Sequence, residues 1–419
     1  MEIFKFGGAS VKDANGVRNF LSTLQKLGKQ EVLIVISAMG KMTNAFEDLV
    51  RVYFQKETEL TAHIDQIKEF HGVIVEDLGF DKRSNITNQI EAIFQEISLF
   101  FKNNTSEDYD YVYDQIVSQA EFLSTKICSA FLLEKGLDHQ WLDVRKCIKT
   151  NSDFRRARVD WEQTEKEIEK QIDTSVITLT QGFIGRDSFG KTTTLGREGS
   201  DYTAGIFAYC LNAREVSIFK DVPGVLNADP REFDQTTLIQ KISYREAIEM
   251  AFYGASVIHP KTLQPLQRKG IPLRVRSFIN PDHQGTYVGS ELDIVPKIPC
   301  FIVKKNQILV SISDKEFHFV MEEDIGQIFN LLHELKIKVN LLQNSAISFS
   351  LCIEDNFNNF KRLLAKLRPS YKVEYSEDLS LYTIRHFNEE VIDRLESNRE
   401  ILLKQRSQET VQLVVKTQE

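Results

Sequence analysis

The order of apolar and polar positions predicts buried strands that alternate with amphipathic helices over about the first 290 residues. Residues 31–37 are almost continuously apolar, which is typical of a parallel strand covered on both faces. Helices are predicted where apolar residues recur at three- and four-residue spacing, as at 14–24, and most of 44–110 reads as helical. Further short apolar runs predict strands at 2–6, 175–182, 215–219 and 273–276. This alternation favours an α/β fold with a mainly parallel central sheet.

The pattern changes after about residue 296, where strands and helices follow in a different order. The order is strand, helix, strand, strand, helix, strand, which is that of a ferredoxin-like unit. These elements are predicted at 308–313, 323–336, 337–342, 346–353, 357–367 and 371–376. A further strand, helix and strand at 379–385, 389–405 and 410–416 would form a second unit that is short by about one strand and one helix. We therefore expect two domains, 1–295 and 296–419, the second being regulatory or an interface.

Charge and cysteine usage narrow the class of protein. The net charge of −8 argues against general binding to nucleic acids or membrane surfaces, which requires a basic face. No apolar run is long enough to span a bilayer, and the N-terminus does not resemble a signal peptide. The five cysteines are scattered without a C-x-x-C pair, so we expect no disulfide and no zinc site. These features indicate a cytoplasmic protein without a metal cage made of side chains.

The first strand ends in a turn suited to binding phosphate. Lys5 lies near the end of strand 2–6, and Gly7, Gly8, Ala9 and Ser10 lead from it into a helix. Strand, glycine turn and helix together direct backbone N–H groups at an anion, and a lysine adds a point charge. The turn is neither a Walker A loop nor a G-x-G-x-x-G fingerprint. The alternative interpretation is an ordinary turn beside a solvated lysine.

A second glycine-containing turn lies near the middle of the chain, within residues 192–204. Arg197 stands between two glycines, and a helix begins shortly after it. Ser200 is the predicted N-cap, and Asp201 lies in the first turn, where the helix dipole favours a carboxylate. The turn therefore offers a guanidinium group, a carboxylate and backbone N–H groups in one place. A capped helix without any ligand is the alternative.

Three other segments contribute candidate binding residues. Ser37 and Thr43 follow strand 31–37, and open α/β sheets bind ligands beyond the carboxyl ends of their strands. Glu121 lies beside the apolar face of a predicted helix, where an acid is either on the surface or paired with a cation or ligand. The loop 220–231 is too long for a plain connection, and its polar residues suit contact with a nucleotide.

Taken together and in order, these motifs resemble the aspartokinase family of the amino-acid kinase fold. The resemblance rests on five segments and on the C-terminal strands and helices, which look like ACT regulatory units. It implies a three-layer catalytic fold followed by ferredoxin-like ACT units. The five segments are Lys5 to Ser10, Ser37 to Gly40 with Thr43, Gly196 to Asp201, Asp221 to Arg231, and Gly254 to Pro260.

The resemblance implies that ATP, with Mg²⁺, phosphorylates the β-carboxylate of L-aspartate, the first step toward lysine, threonine and methionine. Lys5 and Asp201 would be the catalytic residues, and no side chain is expected to form a metal site. Arg197 would clamp a carboxylate of the substrate. The other substrate contacts would be Ser37, Thr43, Glu121 and Ser200. The nucleotide contacts would be Lys5, Gly7, Gly8, Ser10, Lys220, Asp221, Leu226, Asp229, Arg231 and Ser256.

The sequence departs from the family pattern at several of these positions. Glu198 stands where the family has glycine, and its role does not follow from the sequence. Ser256 stands where the family has a lysine that contacts the nucleotide, so we hypothesise that Lys220 or Lys261 supplies the missing cation. Ala9, Lys220 and Leu226 also replace typical family residues.

In the C-terminal region, the segment before the first helix carries three acids at 322–324 where the lysine-sensitive branch has small residues. Asn340 and Ala346 stand where acids are typical. These departures predict weak or absent inhibition by lysine. The ACT-like units are expected to join two chains into a homodimer.

Two other functions remain open. The chain could be a kinase for another amino acid, or a catalytically weak or dead homologue that binds amino acids and regulates a partner. Ser256 and Glu198 favour the second alternative. The presence of Lys5, Arg197 and Asp201 argues against it.

Overall fold

The computed structural model describes residues 1–28, 31–56, 59–255, 258–316, 318–397 and 399–416. The chain divides into two compact units that are described separately below. The first comprises Met1–Val225, Leu238–Ile248 and Val257–Ile294, and the second comprises Leu226–Thr237, Glu249–Ser256 and Val295–Glu419.

The first unit is built on a mainly parallel sheet. The strands up to residue 294 are β1 (Glu2–Phe6), β2 (Val32–Ile36), β3 (Gln140–Leu142), β4 (Thr178–Gln181), β5 (Ile184–Arg186), β6 (Thr192–Thr194), β7 (Val216–Lys220), β8 (Lys241–Ser243), β9 (Leu273–Ser277) and β10 (Thr286–Gly289). Eight of them form one sheet in the order β3-β4-β2-β1-β7-β9-β10-β8, and β5 and β6 form a separate antiparallel pair. Among the described residues, the pairing of β9 with β10 is the only antiparallel one in the large sheet, so β10 and β8 run opposite to the other six strands. The predicted α/β class is confirmed.

Helices flank these strands, and the first four of them lie where the sequence predicts helix, at 14–24 and within 44–110. The helices are α1 (Ala14–Leu27), α2 (Met42–Gln55), α3 (Leu60–Asp77), α4 (Asn85–Asn103), α5 (Tyr109–Glu134), α6 (Trp161–Gln171), α7 (Gly199–Leu211), α8 (Tyr244–Tyr253) and α9 (Pro260–Lys269). The carboxylate of Asp13 caps α1 by accepting a hydrogen bond from the backbone N–H of Gly16 at 2.7 Å. The apolar face of α1 is buried, including Val17 and Phe20.

The longest helix, α5, passes through the core of the first unit. By length and composition it could cross a membrane, although the sequence pattern led us to expect no such stretch. However, 78% of its apolar 18-residue window is buried inside the fold. This burial is what a core helix of a globular protein shows.

The second unit contains a six-stranded sheet. Its strands and helices are β11 (Cys300–Asp314), α10 (Glu322–Glu334), β12 (Lys338–Asn344), β13 (Ser348–Glu354), α11 (Phe360–Leu367), β14 (Tyr371–Arg385), α12 (Glu389–Glu396), β15 (Ile401–Arg406) and β16 (Thr410–Lys416). The sheet order is β12-β13-β11-β14-β16-β15, and every pairing is antiparallel. The order β11-α10-β12-β13-α11-β14 is the predicted ferredoxin-like sequence of elements.

Two predictions for the end of the chain are wrong. The strands expected at 371–376 and 379–385 are one continuous strand, β14. The helix expected at 389–405 stops at Glu396, and β15 follows it. Residues 401–406 pair with β16, so backbone hydrogen bonds in the sheet outweigh the helical spacing of the apolar residues.

Candidate active site

The carboxyl ends of three neighbouring strands and the N-terminus of α7 meet at one cavity. β1 lies between β2 and β7, so Lys5 at the end of β1 is flanked by the turn after β2 and by Lys220 at the end of β7. The cavity has a volume of about 470 Å³. Eight of the residues predicted from the sequence line it, namely Lys5, Ser37, Thr43, Glu121, Arg197, Ser200, Asp201 and Lys220.

A buried lysine and a half-buried lysine share one buried carboxylate in this cavity. Lys5 Nζ lies 2.6 Å from Asp201 Oδ1, and Lys220 Nζ lies 3.4 Å from Asp201 Oδ2. Burial alone would raise the pKa of Asp201, but the two ammonium groups outweigh it and hold that pKa below its usual range. Burial acts to lower the pKa of Lys220, but Asp201 and Glu198 raise it above its usual range. The ammonium groups of Lys5 and Lys220 therefore lie on either side of the Asp201 carboxylate.

The glycine turn after β1 packs directly against the turn after β2. A Cβ atom at Gly8 would lie 2.6 Å from the carbonyl oxygen of Ala38 and 2.8 Å from that of Gly40, so no larger residue fits there. Gly7 adjoins Lys5, because a Cβ atom at Gly7 would lie 3.6 Å from Lys5 Nζ. The described lining of the cavity does not include Gly7, Gly8, Ser10 or Asp221.

Glu121 is buried at the cavity with one carboxyl oxygen unpartnered. It projects from α5 with 3% of its surface exposed, and its Oε2 has no hydrogen-bond partner. Burial raises the pKa of Glu121 to about 8, against the opposing effects of a backbone hydrogen bond from Ala38 and the charge of Lys5. The surface alternative for Glu121 is excluded. A buried acid of this kind suits a cationic group of a ligand.

The turn that carries Arg197 differs from its prediction at the helix start. α7 begins at Gly199 and its N-cap is Glu198, so the prediction that Ser200 is the N-cap is wrong. Glu198 adopts a left-handed conformation with φ of 54°, which lets the chain turn sharply into the helix one residue earlier. Asp201 still lies in the first turn of α7, where the helix dipole stabilises its charge.

The structure adds residues to the cavity that sequence reasoning missed. Asn44 and Glu47 come from α2, Tyr113 from α5, Arg155 from the loop before α6, and Phe183 from the turn after β4. Glu47 follows Thr43 by four residues on one helix, so helical spacing could have identified it. Arg155 carries no comparable signal, because its position depends on a loop whose path the sequence does not reveal.

The remaining predicted residues lie elsewhere or outside the described residues. Leu226, Asp229 and Arg231 belong to the second unit, where Arg231 forms an ion pair with Asp229 at 2.6 Å. Ser256 lies outside the described residues. Lys261 is exposed near the start of α9 and does not line the cavity, whereas Lys220 does, so Lys220 remains the candidate for the replacement cation.

Comparison with known proteins identifies the class to which this fold and cavity belong. The model of the amino acid kinase family matches residues 1–277. Lysine-sensitive aspartokinase 3 of Escherichia coli is 31% identical over 394 residues, which cover 91% of this chain and 86% of that protein.

Two crystal structures of E. coli aspartokinase III show the same fold. One is a complex with lysine and aspartate, with a TM-score of 0.83 and 30% identity. The other is a complex with aspartate and ADP, with a TM-score of 0.83 and 28% identity. Each alignment covers 99% of this chain and 96% of that structure. The chain therefore belongs to the amino acid kinase family, and within it to the aspartokinases.

Proposed function

We propose that this protein transfers the γ-phosphoryl group of ATP to the β-carboxylate of L-aspartate. The observation that carries the proposal is the position of Glu121, a buried acid with an unpartnered oxygen, in the cavity of Lys5, Asp201 and Arg197. An amino acid offers an ammonium group to Glu121 and a carboxylate to Arg197. A complex of the E. coli relative with aspartate and ADP supports this assignment.

The residues of the cavity suit phosphoryl transfer to a carboxylate. Such a transfer depends mainly on positioning and on stabilising the charge of the transferred group. Lys5 and Lys220 provide two ammonium groups for that charge, and Asp201 holds both of them in place. The acceptor carboxylate is already ionised at neutral pH, so the reaction needs no general base to generate the nucleophile. Ser37, Thr43 and Ser200 would orient the acceptor by hydrogen bonds.

ATP would enter with Mg²⁺ on its phosphates. The described residues hold no cluster of three or more side chains that could bind a metal ion, and Mg²⁺ in such sites is held largely by phosphate oxygens and water. Its charge would help to neutralise the transferred phosphoryl group. We assign the nucleotide to the backbone of Gly7 and Gly8 and to the side chain of Ser10. The resemblance adds Asp221, Leu226, Asp229, Arg231 and Ser256.

The two regions of the chain would divide catalysis and regulation. We propose residues 1–295 as the catalytic domain of a cytoplasmic enzyme in lysine, threonine and methionine biosynthesis, and 296–419 as its ACT-like region. The six-stranded sheet ends in β12 and β15, and such edge strands can pair with another chain. We therefore propose a homodimer, which light scattering on the purified protein would test.

A hydroxylamine trap tests the activity directly. An acyl phosphate formed from aspartate reacts with hydroxylamine to give aspartyl hydroxamate, which a colour reaction with iron detects. We expect hydroxamate only when ATP, Mg²⁺ and L-aspartate are all present, and a large loss with Lys5→Ala. Product with another amino acid but not with aspartate would assign a different substrate. Absence of product with every amino acid would favour a regulatory homologue.

A further inference from the structure

Arg155 adds a second guanidinium group to the cavity that holds Arg197. It lies in the loop before α6 with φ of 64°, a conformation that residues other than glycine seldom adopt. Phe183 and Glu198, which also line the cavity, have positive φ angles as well. Unfavourable backbone conformations tend to be kept where a binding site requires them.

A buried carboxylate holds the backbone of Arg155 in this conformation. The N–H of Arg155 donates to both carboxyl oxygens of Asp114, at 3.1 and 3.0 Å. Asp114 is fully buried and also accepts hydrogen bonds from Thr194, from its N–H at 2.8 Å and from its hydroxyl at 2.7 Å. Thr194 ends β6, two residues before Gly196. Asp114 therefore fixes the loop of Arg155 relative to the turn that carries Arg197.

The two segments also touch directly. The carbonyl oxygen of Arg155 lies 3.1 Å from the position of a Cβ atom built on Gly196. The backbones of Arg155 and Gly196 thus pack closely, and Gly196 immediately precedes Arg197. The loop around Arg155 and the turn around Arg197 form one continuous wall of the cavity.

The side chain of Arg155 is held in the cavity by acids and an aromatic ring. Its guanidinium group lies 4.2 Å from the centre of the Tyr113 ring and forms ion pairs with Glu47 at 2.8 Å and Asp110 at 3.4 Å. The side chain is 38% exposed, so an incoming ligand can reach it. A guanidinium group has five N–H donors, and the two ion pairs do not use all of them.

We propose that Arg155 determines acceptor specificity. Together with Arg197 it would bind the second carboxylate of the acceptor, the one that does not receive the phosphoryl group. This inference rests on the proposed function. The reacting carboxylate must lie near the phosphates and therefore near Lys5, while the ammonium group of the acceptor pairs with Glu121. The second carboxylate then needs a cation on the remaining wall, which Arg155 and Arg197 form. Glu47 keeps Arg155 in place until a dicarboxylate acceptor binds.

Arg155→Gly tests the role, because glycine adopts the positive φ without strain. We expect the KM for aspartate to rise about 10-fold, as for a lost hydrogen bond to a charged group, with little change in kcat or in the KM for ATP. Arg155→Lys should recover part of the loss. Arg156→Ala is the matched control, since Arg156 is its neighbour in sequence but does not line the cavity. If Arg155→Gly folds poorly, Arg155→Gln removes the charge at similar length.

A ligand without the second carboxylate separates recognition from a general structural effect. The α-amide of aspartate keeps the reacting carboxylate and the ammonium group but lacks the α-carboxylate. We expect Arg155→Gly to weaken aspartate about 10-fold and the α-amide hardly at all, measured as KM or as an inhibition constant. An equal loss for both ligands, or no loss for aspartate, would overturn the proposal while the wild type still formed hydroxamate. If the wild type formed no hydroxamate, calorimetric binding of both ligands to the same variants would still decide it.

Discussion

Glu121 is the residue whose ionisation should change when the acceptor binds. Its carboxyl group is buried, and burial raises its pKa to about 8, so it is mostly protonated at pH 7 in the free protein. An ammonium group placed beside the unpartnered Oε2 would favour the ionised form. Ligand binding and proton release are then coupled at this one side chain.

We therefore predict that aspartate binding at pH 7 releases up to about one proton per ligand. Titration calorimetry in buffers of different ionisation enthalpy measures this number from the slope of the observed enthalpy. Glu121→Gln should abolish the slope and weaken binding, because glutamine cannot become negative. A wild-type enthalpy that is the same in every buffer would contradict the prediction.

Glu198 gives a second prediction at the scale of a single residue. It caps α7 with φ of 54°, and its Oε2 is buried without a hydrogen-bond partner. Glu198→Gly should stabilise the fold by about 1 kcal/mol, because relief of the left-handed conformation exceeds the added entropy of the unfolded chain. Urea unfolding of the ligand-free protein measures the change.

The other end of α7 supplies the control for this prediction. Asn212 has φ of 47° at the C-cap, and asparagine tolerates the left-handed region better than glutamate. Asn212→Gly should therefore gain much less stability than Glu198→Gly. Equal gains in unfolding free energy would show that the left-handed conformation destabilises the fold no more at Glu198 than at Asn212. A loss with Glu198→Gly would show that its charge, beside Lys220, stabilises the cavity more than its backbone destabilises it.

At the scale of elements, the sequence was most informative where strands are buried on both faces. The apolar runs of β1, β2 and β7 predicted their positions to within a residue or two, because a parallel strand covered on both faces is mostly apolar. Lys5 and Lys220 stand near the carboxyl ends of β1 and β7, where the strands meet the cavity. The residues beyond their carboxyl ends could be identified for the same reason, since parallel strands end at one edge of the sheet.

The sequence was least informative where tertiary contacts override local preference. Residues 401–406 have apolar positions that also fit a helix, and only their pairing with β16 makes them a strand. Helix α7 starts at Gly199, earlier than predicted, because Glu198 adopts a left-handed conformation that glutamate rarely adopts. Arg155 was missed because a buried carboxylate from a distant helix, at Asp114, sets the path of its loop. Such long-range contacts leave no periodic pattern in the sequence.

The start of α10 is the element that bears on regulation by lysine. Its first turn carries Glu322, Glu323 and Asp324, whose charges oppose the binding of a carboxylate at this helix N-terminus. Asp324 already accepts hydrogen bonds from the N–H of Met321 at 3.0 Å and from the hydroxyl of Tyr371 at 2.8 Å. An amino-acid carboxylate would have to displace these contacts and meet a negative surface.

We predict that millimolar lysine inhibits the protein weakly or not at all. Initial rates of hydroxamate formation at increasing lysine concentration measure the effect, at an aspartate concentration near its KM. The lysine-sensitive aspartokinase 3 of E. coli, assayed in parallel, is the positive control. Half-inhibition by sub-millimolar lysine would contradict the prediction and would place an effector site on other residues.

For the whole molecule, the buried acids predict how stability depends on pH. The pKa of Glu121 is raised by burial to about 8 and that of Asp114 to about 7, so the folded state holds protons that the unfolded chain has released. Stability from these two groups therefore falls as the pH rises from about 4 to about 8. His71 acts in the opposite sense, mainly between pH 4 and pH 6.5, because burial lowers its pKa to about 4 and the unfolded imidazole loses its proton around pH 6.5.

Between pH 6.5 and 8, Glu121 should dominate, and the first unit should lose about 1–2 kcal/mol of unfolding free energy. Tryptophan fluorescence during urea unfolding reports this unit, because both tryptophans, Trp141 and Trp161, lie within it. Glu121→Gln should flatten the dependence and be more stable than the wild type at pH 8, since no buried charge remains to be formed. Glu162→Gln, at an exposed position on α6, should keep the wild-type slope. If Glu121→Gln left the dependence of unfolding free energy on pH unchanged, Glu121 would be ionised in the free protein. The predicted release of a proton on aspartate binding would then also be wrong.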